Sequence, residues 1–355
     1  MSLPIRAVSA GKSQTLALLM SGEVLGWGGA GGGRYSPENV DICSTRNVNR
    51  DPVYVGQSVY FSTVSAGYGV SLGVSRQKEL LVWGWNPIGI AENQTSSEIP
   101  TPIAVIKAPI CIAAGQSLFA AIDETGGLHT WGLNVDQALG RPTEQMNALP
   151  SQVRGLPAMQ MVALGDNFMI ALSREGSVFS FGSNSAGQLG IGHITNATKP
   201  MPVRIANTIS SVAVGATHVL ALCNEGRVYG WGSNQYGQLG HQRTRYNSQP
   251  ILITMPEKMT AVAAGTHFSL ALTESGTVYA WGWNGFGQLG LNDARPRSAP
   301  TRVPGLVGVQ AIAAGEMHAL AISQQALLGW GSNESGQLGG AAEKQLTPYP
   351  FWRNG

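Results

Sequence analysis

The chain has 355 residues, of which 47 are glycine, 43% are hydrophobic and only 12% are charged, with a formal net charge of +2. That much apolar material at so low a net charge excludes an intrinsically disordered chain, and glycines without a three-residue period exclude a collagen-like rod. Basic residues such as Arg50, Arg154, Arg204 and Arg295 are scattered and form no run of like charge. A nucleic-acid binder concentrates them in a stripe or tail, so no direct nucleic-acid partner is expected.

Near the N-terminus, the apolar stretch Thr15–Met20 is too short for a secretory signal core, and no run of 18 apolar residues occurs anywhere. No membrane contact is expected. Cys43, Cys111 and Cys223 are odd in number and none stands at a metal-ligand spacing. The apolar neighbours of Cys111 and Cys223 mark them as small core residues, which favours a reducing, cytoplasmic location.

From Val8 onward one segment recurs, with further copies starting at Val64, Ile112, Val162, Val212, Val262 and Ile312. The fifth reads Val212-Ala-Val-Gly-Ala-Thr-His-Val-Leu-Ala-Leu. The copies carry Gly11, Gly67, Gly115, Gly165, Gly215, Gly265 and Gly315 at one shared place. Each is followed by an aromatic–glycine pair: Trp27-Gly28, Trp83-Gly84, Trp131-Gly132, Phe181-Gly182, Trp231-Gly232, Trp281-Gly282 and Trp330-Gly331. Seven such copies span nearly the whole chain, so residues 1–355 read as one repeat domain.

Within the fifth copy the pattern predicts strands over Ser211–Val214, Val219–Cys223 and Val228–Trp231, with Asn224-Glu225-Gly226 as a tight turn. Pro202-Val-Arg-Ile, just before the copy, reads as its outer strand, since proline suits a sheet edge. A four-stranded antiparallel sheet of this size cannot bury both faces alone, but seven arranged radially can. The predicted fold is all-β, a seven-bladed β-propeller of four-stranded antiparallel blades. Ring closure is predicted through pairing of the terminal segments, with Pro348–Trp352 joining the blade of Ile5–Gly11.

The stretches Val212–Gly240 and Val262–Gly290 closely resemble the repeat of the regulator-of-chromosome-condensation family. The repeat's tail, Asn-x-x-Gly-Gln-Leu-Gly, is intact at Asn184–Gly190, Asn234–Gly240, Asn284–Gly290 and Asn333–Gly339. Copies one to three depart from it, with the glycine run Gly28–Gly33, Asn86-Pro-Ile-Gly-Ile-Ala-Glu and Asn134-Val-Asp-Gln-Ala-Leu-Gly. The resemblance implies the same propeller and protein binding by one of its faces. Founding members look like guanine-nucleotide exchange factors for a small GTPase, and relatives include domains of ubiquitin ligases, plant light sensors, bacterial effectors and a secreted β-lactamase inhibitor. Exchange factors of the family carry a wedge-like insertion. Here only the stretch from Gly28 to Gly67 exceeds the repeat spacing, so no wedge is evident. The light sensors' Gly-Trp-Arg-His-Thr motif is absent.

Chemistry finds little support. His218 and His318 stand third after the repeat glycine and His267 second, a pattern that could place three imidazoles on a metal. Other copies hold Gln14, Val70, Leu118 and Phe168 in that slot, which favours structural histidines. No Ser–His–Asp grouping or phosphate-cradling loop appears. No catalytic residue, cofactor or metal site is therefore assigned, and the protein is not read as an enzyme.

Strand order places the turns after the first strand and the loops after the third on one face. The turns bring Tyr68, Asp166, Phe168, His218, His267, Glu316, Met317 and His318 there, and the loops add Trp85, Tyr236, Trp283 and Phe286. Trp85 and Trp283 replace the serines of other copies (Ser183, Ser233 and Ser332), as large rings do at interface hot spots. The loop asparagines, such as Asn234, are expected to brace their own turns, and Gln188, Gln238, Gln288 and Gln337 to tie neighbouring blades through their side-chain amides. The function expected is a monomeric, non-catalytic propeller that binds a protein partner through this face. A guanine-nucleotide exchange factor for a small GTPase is the alternative, and a propeller-type enzyme inhibitor a further one.

Overall fold

The structure, a computed structural model, describes residues 4–29, 48–56, 58–85, 96–242, 244–324, 326–340 and 342–353. They form seven four-stranded antiparallel sheets and one short 3-10 turn. We letter the strands of each blade A to D from the axis outward. In blade five these are Ile209–Val214, His218–Cys223, Val228–Ser233 and Tyr246–Ile253.

Strand B shows why one blade cannot stand alone. All six residues of His218–Cys223 are buried, as are those of Phe268–Thr273 and His318–Ser323. Side chains alternate between the two faces of a strand, so full burial requires a neighbouring sheet on each side. Shared cores fill the gaps between blades; one holds Leu220 and Leu222 of blade five with Ala271 and Trp281 of blade six. The seven-bladed propeller follows.

The outer strand closes the copy before the one its sequence position suggests. Ala197–Val203 pairs with Val178–Gly182 of blade four, in registers such as Ser180↔Met201. The loop after strand C turns the chain straight back beside that strand, so D closes its own blade as a hairpin. This shift removes the shared terminal sheet. Lys344–Arg353 pairs with Ala326–Ser332 inside blade seven, while Ile5–Ala10, Gln14–Leu19, Val24–Gly29 and Val48–Val55 complete blade one. With every D behind its own C, neither end blade lacks a strand. The ring closes instead by contacts between blades seven and one, among them Trp27, which meets Phe351 and Trp352 edge-on at ring separations of 5.7 and 6.1 Å.

Two details explain the repeat's residues. The glycine after each aromatic has positive φ, and a Cβ on Gly232 (φ +94) would lie 2.4 Å from the Thr217 carbonyl oxygen. Each outer strand also carries proline, at 52, 102, 150, 202, 250, 300 and 350, which removes an N–H from an exposed edge.

The loop asparagines brace their turns as expected. Asn234 Oδ1 accepts the Leu239 N–H at 2.9 Å, and its Nδ2 donates to the Thr244 carbonyl at 2.9 Å. The glutamine expectation is corrected. The Gln188, Gln238, Gln288 and Gln337 side-chain oxygens accept N–H groups two residues earlier in their own loops. Blades are tied by the main chain instead: the indoles of Trp231, Trp281 and Trp330 donate to the backbone carbonyls of Gln188, Gln238 and Gln288 at 3.0, 2.8 and 2.9 Å. Residues 30–33 of the glycine-rich stretch, the copy-two loop at 86–92, Cys43 and the side chain of Trp85 lie outside the described residues.

Candidate protein-binding face

The repeat glycines converge on the axis, where strand A turns into strand B. Neighbouring turns bond directly through their backbones. Lys12 donates its N–H to the Gly67 carbonyl at 3.2 Å, Thr266 to Glu316 at 3.1 Å, and Glu316 to Gly11 at 3.3 Å. Glycine is required by this approach: a Cβ on Gly11 would lie 2.3 Å from Gly67 O, and one on Gly215 would lie 2.3 Å from Gly265 O. The turns enclose an axial cavity of about 250 Å³. The residues just after the glycines form its lip.

Three lip residues are charged. Lys12 Nζ lies 3.5 Å from Glu316 Oε2 and 4.0 Å from the centre of the Tyr68 ring. The Asp166 carboxylate accepts no hydrogen bond among the described residues. Burial pushes the Asp166 and Glu316 carboxyls up, and Lys12 pulls both back toward ionisation. Asp166 and Glu316 line the same cavity, and Asp166 further raises Glu316 by charge repulsion.

Beside the lip, blades five and six bring four rings together. Tyr236 lies 5.0 Å from His267 and 6.2 Å from Trp283, and Trp283 meets Phe286 at 5.6 Å nearly edge-on. Tyr236 is 40% exposed, while His267, Trp283 and Phe286 are half-buried. Each comes from a turn or loop of the expected face. A cluster of rings held against one another keeps its shape without a partner.

The expected contact residues thus divide into groups. Tyr68, Asp166 and Glu316 meet at the lip, Tyr236, His267, Trp283 and Phe286 form the ring cluster, and Met317 is half-buried beside Glu316. Phe168, His218 and His318 are corrected: each is fully buried and cannot touch a partner. They begin strand B, where the side chain turns inward between blades. His218 Nε2 meets Ser269 Oγ at 3.1 Å and His318 Nε2 meets Thr15 Oγ1 at 3.3 Å, which makes them inter-blade struts. Among the described residues no three His, Cys, Asp or Glu groups converge as metal ligands. Lys12 and Thr266 were missed as lip residues. Their signal was present, since each directly follows a repeat glycine.

A closed ring of seven four-stranded antiparallel blades defines a β-propeller, and no helix among the described residues is long and apolar enough to cross a membrane. The RCC1-like domain model matches residues 87–351, and the chain belongs to that family. It is 30% identical over 149 residues, 40% of its length, to the RCC1 domain-containing protein RUG3, mitochondrial, of Arabidopsis thaliana; the match spans 32% of that protein. Human WBSCR16 has the same fold, with a TM-score of 0.82 at 21% identity over 93% of both chains. So does Prp20p of Saccharomyces cerevisiae, with a TM-score of 0.79 at 22% identity over 89% of this chain and 82% of that one.

Proposed function

We propose that the protein is a non-catalytic, monomeric propeller that holds a protein partner on the face bearing the A–B turns and the loops after strand C. The ring cluster Tyr236–His267–Trp283–Phe286 carries this reading. Aromatic rings supply large contact areas at little entropic cost and recur at the centres of interfaces. Capture from lysate with immobilised protein tests it: Tyr236→Ala and Trp283→Ala should lose the partner while melting temperature stays unchanged. Equal capture by wild type and both variants would sink it.

A second reading is nucleotide exchange on a small GTPase. It is favoured by family membership and by Prp20p, whose structure was reported with its binding properties to Gsp1p and histones. Fluorescent-nucleotide release from a panel of small GTPases separates the two readings, since a pure binding scaffold accelerates none of them. We place the protein in the cytoplasm on the free thiols Cys111 and Cys223. The mitochondrial name of the plant relative makes organelle fractionation the direct check.

A further inference from the structure

The lip of the axial cavity is lopsided. On one arc Lys12 lies over Tyr68 and fills the space; on the other, between Asp166 of blade four and Glu316 of blade seven, stand only Ala216 and Thr266. Lys12 is engaged by Glu316, so two carboxylates share one ammonium and the lip carries a net charge of about −1. The open arc adjoins the ring cluster, because His267 directly follows Thr266 and packs against Tyr236 at a tilt. A cavity of about 250 Å³ lies just under the range of roughly 300–1,000 Å³ usual for small-molecule sites and suits a single inserted side chain.

We infer that the axial lip receives one lysine or arginine side chain of the partner between Asp166 and Glu316, while an apolar residue beside it in the partner's chain rests on Tyr236 and Trp283. The inference builds on the binding-face reading above and gives the partner's contact a chemistry: a loop or tail with a basic residue next to an apolar one. Charge complementarity selects it. A cation supplies the donor that Asp166 lacks, and a guanidinium, with five N–H donors, offers a carboxylate a bidentate pair of bonds. An acidic segment would set like charges together in a partly desolvated site.

A random dodecapeptide display library selected on the immobilised protein tests this. Selected peptides should be enriched in Lys or Arg beside an aliphatic or aromatic residue. A synthetic copy of one of them, with its arginine replaced by the neutral isostere citrulline, should bind about tenfold more weakly, a difference of about 1.4 kcal/mol. Asp166→Asn and Glu316→Gln should each weaken the arginine peptide, and together abolish the preference for it over citrulline. Asp166 makes no side-chain hydrogen bond among the described residues, so its variant should melt like wild type. Absence of selected peptides, absence of basic enrichment, or a preference that survives both substitutions would overturn the inference. Peptides lost with Trp283→Ala but retained by both carboxylate variants would overturn it while leaving the aromatic face as the docking surface.

Discussion

His318 Nε2 lies 3.3 Å from Thr15 Oγ1, a contact between residues 303 positions apart that joins blade seven to blade one. The Thr15 hydroxyl donates to the Gln337 carbonyl at 2.8 Å, so Nε2 is the donor toward Thr15 and the proton sits on that nitrogen. His218, Ser269 and the Gln238 carbonyl repeat the arrangement at 3.1 and 2.8 Å. In blade one Gln14 Nε2 plays the histidine's part toward Ser71 Oγ at 3.2 Å. Elsewhere both places are apolar and share a core: Val70 with Phe119, Leu118 with Met169, Phe168 with Val219, and Phe268 with Ala319. The first residue of strand B is thus matched in polarity to the second residue of the next blade's strand B.

This matching makes the two positions energetically coupled. Thr15→Val leaves the His318 N–H and the Gln337 carbonyl without their partner and should cost about 1–3 kcal/mol in urea unfolding. Adding His318→Phe copies the apolar type of pair in blade six and should recover part of the loss. A double variant whose cost equals the sum of the two single costs would show no coupling.

Burial lowers His218 and His318 from the ordinary 6.5 to about 3, with the neighbouring His267 contributing at His218. Their folded pKa lies below the unfolded one, so the unfolded chain binds more protons between those values. Stability is fully present above about pH 6.5 and falls as pH drops toward 3, by about 1.4 kcal/mol per pH unit for each histidine. Unfolding curves at several pH values should show this slope. His218→Gln with His318→Gln, the residue blade one already uses, should flatten it.

The axial glycines are demanded by space. Gly11→Ala drives a Cβ to 2.3 Å from the Gly67 carbonyl oxygen and should cost about 3 kcal/mol or more. Gly305→Ala meets no atom within 4 Å and pays only for its φ of +75, about 1–2 kcal/mol. Similar melting temperatures for the two variants would refute the steric account.

Two aromatic truncations should separate packing from binding. Phe168 is fully buried in an inter-blade core, so Phe168→Ala should cost about 3–5 kcal/mol of stability. Trp283 is half-buried among rings of the open face, so Trp283→Ala should lower partner capture and barely move melting. Calorimetry and capture assays on the two proteins give the comparison.

The residue pattern exposed the Trp283 cluster partly because the ring departs from the serine of other copies, as at Ser233. That Trp283 meets Phe286 and that Tyr236 meets His267 required the loops of two blades to be placed side by side. Phe168 misled for the opposite reason. It sits in a turn by sequence, yet it begins a strand whose side chain points into the space between blades.

Period, turn glycines and alternating strands were legible in the chain because they are local: a fifty-residue unit repeats its hairpins whatever surrounds it. Blade number and strand order A to C came from that alone. Which strand closes which blade, which polar residue meets which across a gap, and which side chains remain outside depended on contacts between distant segments. Lys344–Arg353 could have paired with either end of the ring as far as its own residues show. Its place was decided by the loop that returns it beside Ala326–Ser332, and the lip where Lys12 meets Glu316 exists only once seven blades have closed around the axis.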